Sequence, residues 1–338
     1  MTALPPELAS AFRGRRILVT GGLGFIGSNL AHALVGAGST VTIVDSLTPT
    51  HGGSWANVEG IESDLEIHEL DIRDIDRLHP HLCGKDVLFN LAGQTSHLDS
   101  MTDPRTDLGI NCTAQLSLLE ACRADNPGVR IVFAGTRQIY GRPRYLPVDE
   151  RHPIDPVDVN GIHKPAGEWY HLLYGRVHGL SVTVLRLTNT YGPRMRVRDA
   201  RQTFLGLWIR QSLQGEEIQV FGDGRQRRDF AYVDDVVRAL CQAVVAPAAV
   251  GQVFNVGADG HRSLEETAEL VVRLAGAGAY RVVPFPPERL KIDIGDYYAD
   301  DRKLRETVGW APEVDFEQGL AKTLDFYRVH GERYWSDG

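Results

Sequence analysis

The sequence predicts an α/β fold with a doubly wound parallel sheet and a smaller C-terminal lobe. Through about residue 190, short apolar runs typical of buried strands alternate with segments whose apolar residues have helical spacing. A glycine-rich turn joins the first predicted strand to the first predicted helix, and glycine is in excess, with 35 residues in 338. Because glycine is costly inside helices and strands, this excess indicates tight turns and close backbone approaches.

The first strand, helix and second strand form a β-α-β unit. The apolar run Arg16–Thr20 ends at a glycine turn, and the segment that follows Ser28 has helical spacing and stops at glycine. The run Thr40–Val44 then predicts a second strand, which Asp45 ends. This order and spacing are typical of two parallel strands joined by a crossover helix.

The same alternation continues through the first half of the chain. We predict further strands at Leu65–Glu69, Val87–Asn90, Val129–Ala134 and Ser181–Leu187, and helices at about 105–124 and 160–178. Strands and helices that alternate in this way predict a parallel sheet with helices on both faces.

The pattern changes after about residue 190, where a smaller and interleaved lobe is expected. We predict helices at about 202–214, 232–245, 263–275 and 315–329, strands at 217–221 and 253–256, and a Pro- and Asp-rich loop at 284–300. No Ser/Gly linker separates the lobes, so we expect them to pack together. The main lobe is assigned residues 1–189 and about 231–257, and the smaller lobe residues 190–230 and 258–338.

Composition excludes several classes of protein. Asp and Glu (44) outnumber Lys and Arg (36), and the resulting net charge of -8 lacks the basic footprint that nucleic acid requires. No stretch reaches the ~18 apolar residues of a membrane span. The four cysteines form neither a C-x-x-C pair nor a zinc-like cluster. We therefore expect a cytoplasmic protein without a metal site.

The glycine turn has the spacing and context of a dinucleotide site. In TGGLGFIG, residues 20–27, Gly21 permits the tight turn, Gly24 lets the backbone approach a pyrophosphate, and Gly27 lets helix and strand pack closely. The anion then lies at the N-terminus of a helix that includes Phe25 and Ile26, where free N–H groups and the helix dipole favour it. Because a strand precedes this turn and a helix follows it, we predict a Rossmann-type domain.

The residue that ends the second predicted strand favours NAD as the cofactor. Asp45 lies 18 residues past Gly27 and is the expected partner of the adenosine ribose hydroxyls, because a carboxylate repels the 2′-phosphate of NADP. Two later segments that follow strands are weaker candidates for cofactor contacts. They are Asp71 and Ile72, against the adenine, and Leu91, Ala92 and Gly93, beside the cofactor.

Seven motifs in order resemble the extended short-chain dehydrogenase/reductase family, specifically its NAD-dependent nucleotide-sugar epimerases and dehydratases. They are TGGLGFIG at 20–27, NLAG at 90–93, Asn111, TRQIYG at 136–141, RLTN at 186–189 with YGPR at 191–194, FGDGRQRRDF at 221–230 with YVDDV at 232–236, and GWAP at 309–312. The resemblance covers nearly the whole chain.

The resemblance implies a division of labour between the lobes. The main lobe is expected to bind NAD and the smaller lobe a nucleoside-diphosphate sugar. Asn189 is expected to donate to the diphosphate, Arg228 to pair with it through a charge-assisted fork, and Arg194 to assist. Relatives pair two helices from each subunit, which implies a homodimer formed by the predicted helices 105–124 and 160–178.

The catalytic signature of the family, Tyr-x-x-x-Lys, is altered in this chain. Lys164 stands where the family lysine is expected and Thr136 fits the hydroxyl that completes the hydrogen bonding, but Asn160 replaces the tyrosine. Tyr170 and Tyr174 follow the lysine and cannot take its place. Because an amide does not titrate usefully, Asn160 is expected to be a polar contact and another group must move the proton.

Three explanations stay open at this point. His97 or His163 takes the proton, since imidazole has a suitable intrinsic pKa; the reaction follows another chemistry; or the protein binds NAD and a nucleotide sugar without turnover. Arg137 and Gln138 stand where 4,6-dehydratases have acids, which disfavours that reaction. We therefore expect an NAD-dependent epimerase-like enzyme, with a silent binder or an oxidoreductase or decarboxylase as alternatives.

Overall fold

A computed structural model describes residues 3–48 and 51–335, and its largest element is a seven-stranded parallel sheet. The strands of the described chain are β1 (Arg16–Thr20), β2 (Thr40–Asp45), β3 (Leu65–Glu69), β4 (Val87–Asn90), β5 (Arg130–Thr136), β6 (Ser181–Leu187), β7 (Asn189–Tyr191), β8 (Glu217–Phe221), β9 (Arg227–Arg228), β10 (Phe230–Tyr232), β11 (Val253–Val256), β12 (Arg262–Ser263) and β13 (Ala279–Val283). The sheet has the order β11-β6-β5-β4-β1-β2-β3. The predicted fold class is confirmed.

The α-helices of the described chain are α1 (Pro6–Ser10), α2 (Phe25–Gly36), α3 (Ile75–Leu82), α4 (His97–Thr102), α5 (Pro104–Leu108), α6 (Ala114–Asp125), α7 (Val159–His178), α8 (Phe204–Leu213), α9 (Val233–Val245), α10 (Leu264–Ala275), α11 (Pro287–Leu290), α12 (Arg302–Val308), α13 (Phe316–His330) and α14 (Glu332–Trp335). None of these helices is long and apolar enough to cross a membrane.

Two apolar cores lie on opposite faces of the sheet. Leu30 of α2 and Leu240 of α9 pack in one core with the inner side chains of β1 and β11. Leu78 of α3, Leu118 of α6 and Tyr174 of α7 pack in the other. Because both faces are covered, the strands are continuous apolar runs rather than alternating ones, which is the pattern that made them recognisable in the sequence.

A third core joins the elements of the C-terminal half. Side chains of α8, α10 and α13 pack around the parallel pair β8–β13 and the pair β7–β10. Trp310, from the segment assigned to the smaller lobe, packs in the first core of the main sheet instead. The division at residues 189, 230 and 257 stays a prediction.

The predicted helix at 105–124 is divided in the structure. Helix α5 ends at Leu108, a π-helical turn covers Gly109–Thr113, and α6 follows. The turn contains Asn111, whose buried amide donates to the Gln94 carbonyl (3.1 Å) and to Asp107 (3.0 Å). Single π turns of this kind concentrate at functional sites, and this one lies behind the cleft described next.

Candidate active site

A cleft of about 410 Å³ opens at the carboxyl ends of the parallel strands. The strand order reverses between β1 and β4, so the crossover helices leave the sheet on opposite faces and a crevice remains between them. Beneath the cleft wall, the buried Thr20 of β1 donates a hydrogen bond to the buried Asn90 of β4 (2.9 Å). The volume suits a small-molecule ligand.

The glycine turn at one end of the cleft has no room for side chains. A Cβ on Gly27 would lie 2.2 Å from the Gly21 carbonyl oxygen, and a Cβ on Gly22 would lie 2.6 Å from Ile43. Gly21 itself has a φ of +70°, in the left-handed region. The turn therefore brings bare backbone to the N-terminus of α2, as a bound pyrophosphate requires.

Asp45 ends β2 at the rim of the same cleft. Its carboxylate accepts hydrogen bonds from the backbone amides of Leu23 (3.0 Å) and Leu47 (2.9 Å), which fix its position. Burial raises the pKa of Asp45, and these amide hydrogen bonds oppose that rise. The residues predicted to contact the cofactor all line the cleft: Gly21, Gly24, Phe25, Ile26, Gly27, Asp45, Asp71, Ile72, Leu91, Ala92, Gly93 and Lys164. The site thus fits NAD in both shape and charge.

Thr136 and Lys164 both line the cleft. Thr136 is the last residue of β5, and Lys164 projects from the second turn of α7. Burial lowers the pKa of the Lys164 ammonium to about 8, although the Asp107 carboxylate and the Cys112 thiol act in the opposite direction. A Cβ on Gly93 would lie 2.7 Å from the Lys164 Nζ, so the glycine makes room for the lysine.

Asn160 is buried and does not line the cleft. Its Nδ2 donates to the Gln94 carbonyl (2.7 Å) and to the buried Asp107 carboxylate (2.9 Å). His163 also contacts Asp107 (2.7 Å) and is likewise absent from the cleft wall. Asn160 and His163 therefore have a structural role, because their contacts with Asp107 connect α7 to α5.

His97 lines the cleft and is one member of a hydrogen-bonded chain. Its Nδ1 contacts the Asp158 carboxylate and its Nε2 contacts the Gln138 side-chain amide. Burial raises the pKa of Asp158, but its interactions with His97, the Gly161 amide and Arg137 together outweigh that effect, so the pKa is lowered. With the carboxylate as acceptor, Nδ1 carries a proton and Nε2 has its lone pair toward Gln138.

Asp158 is a functional candidate that sequence reasoning missed. One of its oxygens caps α7 by accepting from the Gly161 amide (2.7 Å), and the other faces His97. An Asp before a helix is a common cap, so the sequence signalled its structural part. Its contact with His97 depends on α4 packing against α7.

Of the three predicted substrate residues, only Asn189 lines the cleft. Asn189 lines the cleft and accepts a hydrogen bond from Arg137 (3.2 Å), which also lines it. Arg228 is buried outside the cleft wall and donates to the carbonyls of Arg227 (2.9 Å) and Gly295. Arg194 lies farther away and donates to Asn29 (3.0 Å). The cleft wall therefore includes neither Arg194 nor Arg228, and their assignment to substrate stays a prediction.

Further polar residues that were not predicted to bind ligand line the cleft, and three of them are arginines: Arg137, Arg201 and Arg289. His51 and Gln138 are among the others. No motif in the sequence marks these residues as ligand-binding. The arginines place cationic groups in the cleft of an acidic protein, which also contains the carboxylates of Asp45 and Asp71.

Among the described residues, one group of side chains away from the cleft could approach a metal ion: Glu66, His68 and His81. The Glu66 carboxylate already contacts His68 (2.9 Å) and accepts from Thr42 (2.7 Å). The group is unrelated to the cleft and carries no part of the argument below.

Comparisons with known proteins place this architecture among characterised relatives. The model of the NAD dependent epimerase/dehydratase family matches residues 17–257. A UDP-glucose 4-epimerase of Mycolicibacterium smegmatis is 35% identical, covering 93% of this chain and 98% of the relative. A UDP-glucuronic acid decarboxylase 1 of Xenopus tropicalis is 32% identical, covering 96% and 75%. The solved structure of an epimerase from Methanothermobacter thermautotrophicus superposes with a TM-score of 0.89 at 26% identity, covering 97% and 96%.

Proposed function

The chain belongs to the NAD dependent epimerase/dehydratase family, and we propose that it inverts a ring carbinol of a nucleoside-diphosphate sugar. The glycine turn and Asp45 would hold NAD, which would supply reversible hydride transfer at the sugar carbon. The relatives named above act on nucleotide sugars, and the cleft has the glycine turn and Asp45 that suit NAD. The observation that carries the proposal is that His97, whose Nδ1 contacts the Asp158 carboxylate, lines the same cleft as Thr136 and Lys164.

His97 supplies the proton transfer that Asn160 cannot. Its Nε2 takes the proton of the sugar hydroxyl as the carbinol is oxidised and returns it as the carbonyl is reduced. Asp158 holds the imidazole in the Nδ1–H tautomer and stabilises the imidazolium that forms. Gln138 occupies Nε2 without substrate, so the sugar hydroxyl replaces the Gln138 amide when it binds.

Thr136 and Lys164 orient the reacting groups. The Thr136 hydroxyl donates to the sugar oxygen, and the Lys164 ammonium provides positive charge beside the cofactor and the developing alkoxide. With a pKa of about 8, Lys164 is mostly protonated at neutral pH. Neither Arg137 nor Gln138 supplies the acid of a 4,6-dehydratase, which favours inversion over elimination.

A substrate panel tests this function. Purified protein with NAD is incubated with UDP-, GDP-, CDP- and dTDP-sugars, and product stereochemistry, released carbon dioxide and reduced cofactor are followed. Inversion with no net reduced cofactor supports the epimerase. Net reduction indicates an oxidoreductase, and carbon dioxide indicates the decarboxylase that the Xenopus relative suggests. NAD binding without turnover on any sugar supports a silent binder.

Three variants test the part of His97. We expect His97→Ala to lower kcat by about 10²–10⁴-fold, the usual contribution of a general acid–base group. Asp158→Asn keeps an oxygen for the Gly161 amide but presents an NH₂ to Nδ1, so it also lowers kcat and shifts the pH–rate profile. The exposed His79→Ala is the control. Full activity in the His97→Ala protein rejects this histidine and makes Lys164 the next candidate base.

We also propose that the partner of this chain is a second copy of itself. Helix α7 exposes Ile162, Trp169, Leu173 and Val177, and the exposed Leu98 and Met101 lie on the neighbouring α4. Contiguous exposed apolar side chains of this kind mark interaction surfaces. Free thiols at Cys83, Cys112, Cys122 and Cys241 support our proposal of a reducing, cytoplasmic location.

A further inference from the structure

We propose that Arg137 binds a carboxylate on the sugar, so that the substrate is a nucleoside-diphosphate uronate. This inference rests on the proposed function, since it names the class of sugar that the same cleft takes. It assigns a specificity-determining part to a residue that contributes nothing to the proton transfer described above.

Arg137 is placed beside the reacting groups by the backbone. It follows Thr136 directly and begins the short 3₁₀ turn Arg137–Tyr140 at the carboxyl end of β5. Its Nη2 donates to Asn189 (3.2 Å), and its guanidinium lies 5.0 Å from the centre of the Tyr297 ring. The remaining N–H groups are left for a ligand in the cleft.

Arg137 has no carboxylate partner among the described residues, whereas the buried Arg186 and Arg238 each have one. It also lines the cleft, which Arg228, likewise without a carboxylate partner, does not. Arg186 pairs with Glu168 through two hydrogen bonds, of 3.0 and 2.5 Å, and Arg238 pairs with Asp235 (2.8 Å). Arg137 forms no ion pair within residues 3–48 and 51–335. A guanidinium withdrawn from water without a counter-charge favours the binding of an anion.

The acidic side chains around Arg137 are already engaged. Asp158 contacts His97, Asp229 contacts Thr188 and the Ala299 amide (3.0 Å), and Asp293 accepts from Gln226 (2.8 Å). Burial lowers the pKa of Arg137, while Tyr297 and these three carboxylates act in the opposite direction. These carboxylates therefore reduce the local positive potential, but among the described residues none of them forms a hydrogen bond with the guanidinium.

The position of Arg137 favours a sugar carboxylate over the diphosphate. The sugar ring must contact Thr136 and His97 for the reaction to proceed, and Arg137 is the next residue along the chain. The carboxyl group of a uronate is attached beside a ring carbinol, within reach of a side chain that flanks the reacting carbon. The planar guanidinium also matches a carboxylate through two parallel hydrogen bonds.

Binding measurements separate these sources of negative charge. NAD-loaded protein is titrated calorimetrically with UDP, UDP-glucose and UDP-glucuronate, and with the dTDP counterparts. We expect the glucuronate to bind about 10- to 100-fold more tightly than the glucose compound, as one charge-assisted pair provides. Arg137→Gln is expected to abolish this preference, Arg137→Lys to keep part of it, and the exposed Arg144→Gln to leave it unchanged. NAD affinity serves as the check that each variant is folded.

Each result has a distinct meaning. Loss of the uronate preference in the Arg137→Gln protein, with affinity for the glucose compound kept, supports the proposal whether or not the panel detects turnover. Equal weakening of UDP, UDP-glucose and UDP-glucuronate assigns Arg137 to the diphosphate and overturns it. Equal affinity of the wild-type protein for both sugars also overturns it. If NAD binds but no nucleotide or nucleotide sugar does, the proposed function fails as well.

Discussion

At the scale of single residues, the proposed acid–base group lies on a different element from the position that Asn160 occupies. Asn160 stands one helical turn before Lys164, but its amide is turned to Gln94 and Asp107, and its Oδ1 has no hydrogen-bond partner among the described residues. The acid–base candidate His97 comes from α4, which packs against the start of α7. The sequence identified His97 as a candidate, and the structure adds the carboxylate that orients it.

Gly27 has the least room for a side chain of the glycines in the glycine turn. In a Gly27→Ala protein the new Cβ meets the Gly21 carbonyl oxygen at 2.2 Å and the Gly22 Cα at 2.7 Å, both backbone atoms, so the turn must open. We expect the NAD affinity to fall by about 10- to 100-fold, corresponding to the usual cost of overpacking. Calorimetric titration with NAD measures the change.

Gly36 provides a matched control in the same helix. It is the last residue of α2, and a Cβ there has no neighbour within 4 Å. Gly36→Ala is expected to leave NAD affinity unchanged and to raise the free energy of unfolding by up to about 1 kcal/mol. Wild-type NAD affinity in the Gly27→Ala protein would show that the turn tolerates a side chain and contradict its assigned part.

At the scale of elements, α7 connects the site with the core and the surface. Its first two turns carry Asn160 and Lys164, and its middle carries Glu168, paired with Arg186 of β6. Its exposed face includes Trp169. A buried ion pair is weak evidence for stability, but removal of one partner leaves an uncompensated charge. The sequence located the helix within one residue of its start because Asp158 and Gly179 are strong end signals.

His171 of α7 gives the fold a specific dependence on pH. Its Nδ1 contacts the Gly167 carbonyl (2.8 Å) and its Nε2 contacts the Asn90 amide (3.1 Å), which suits the neutral ring. Burial lowers the pKa of His171 from its usual 6.5 to about 4. Between about pH 6.5 and pH 4, His171 is therefore protonated in the unfolded chain but neutral in the folded chain. The free energy of unfolding consequently decreases as the pH falls through this range.

The expected size of this effect is about 2 kcal/mol between pH 7 and pH 5. Urea denaturation at the two pH values measures it, with His171→Gln as the variant that lacks the titrating ring. That protein is expected to be less stable at pH 7 but to lose about 2 kcal/mol less than the wild type on acidification. His178→Gln, an exposed change on the same helix, is the control. Equal losses in the wild-type and His171→Gln proteins would contradict the assignment.

At the scale of the whole molecule, the cleft is a product of two packed parts of the chain. The glycine turn and Asp45 come from the main sheet, whereas Asn189 begins β7, which pairs with β10 in the C-terminal half. Phe25, at the start of the cofactor helix, packs in the core of that half. The shape of the cleft therefore depends on the packing of the two parts.

The exposed face of α7 predicts the oligomeric state. Trp169 is 53% exposed there, and burial of such a side chain against a second copy removes apolar surface from water. We expect a dimer for the wild-type protein by light scattering and a monomer for Trp169→Glu, because the new charge is costly to bury. Val329→Glu, on the 77% exposed Val329 of α13, is expected to remain dimeric. A monomeric wild-type protein would contradict this interface.

The sequence by itself determined most strands of the main sheet and the position of the glycine turn. Short runs with apolar or alternating residues located β1, β3, β4 and β6 at their observed limits, and the 21/24/27 spacing with Asp45 pointed to residues that line the cleft. These signals are local, since each depends on a few neighbouring residues. Short strands such as β7 and β9 were missed, because two or three residues carry no periodicity.

Only the tertiary structure decided which polar side chains share the inner cleft. The His97–Asp158 contact joins residues 61 positions apart, and the Arg137–Asn189 contact joins residues 52 apart. The same packing turned Asn160 toward Asp107 and kept Arg194 and Arg228 out of the cleft wall. Such contacts depend on how helices pack on the sheet and on which polar groups must find partners when buried, and neither can be derived from spacing along one chain.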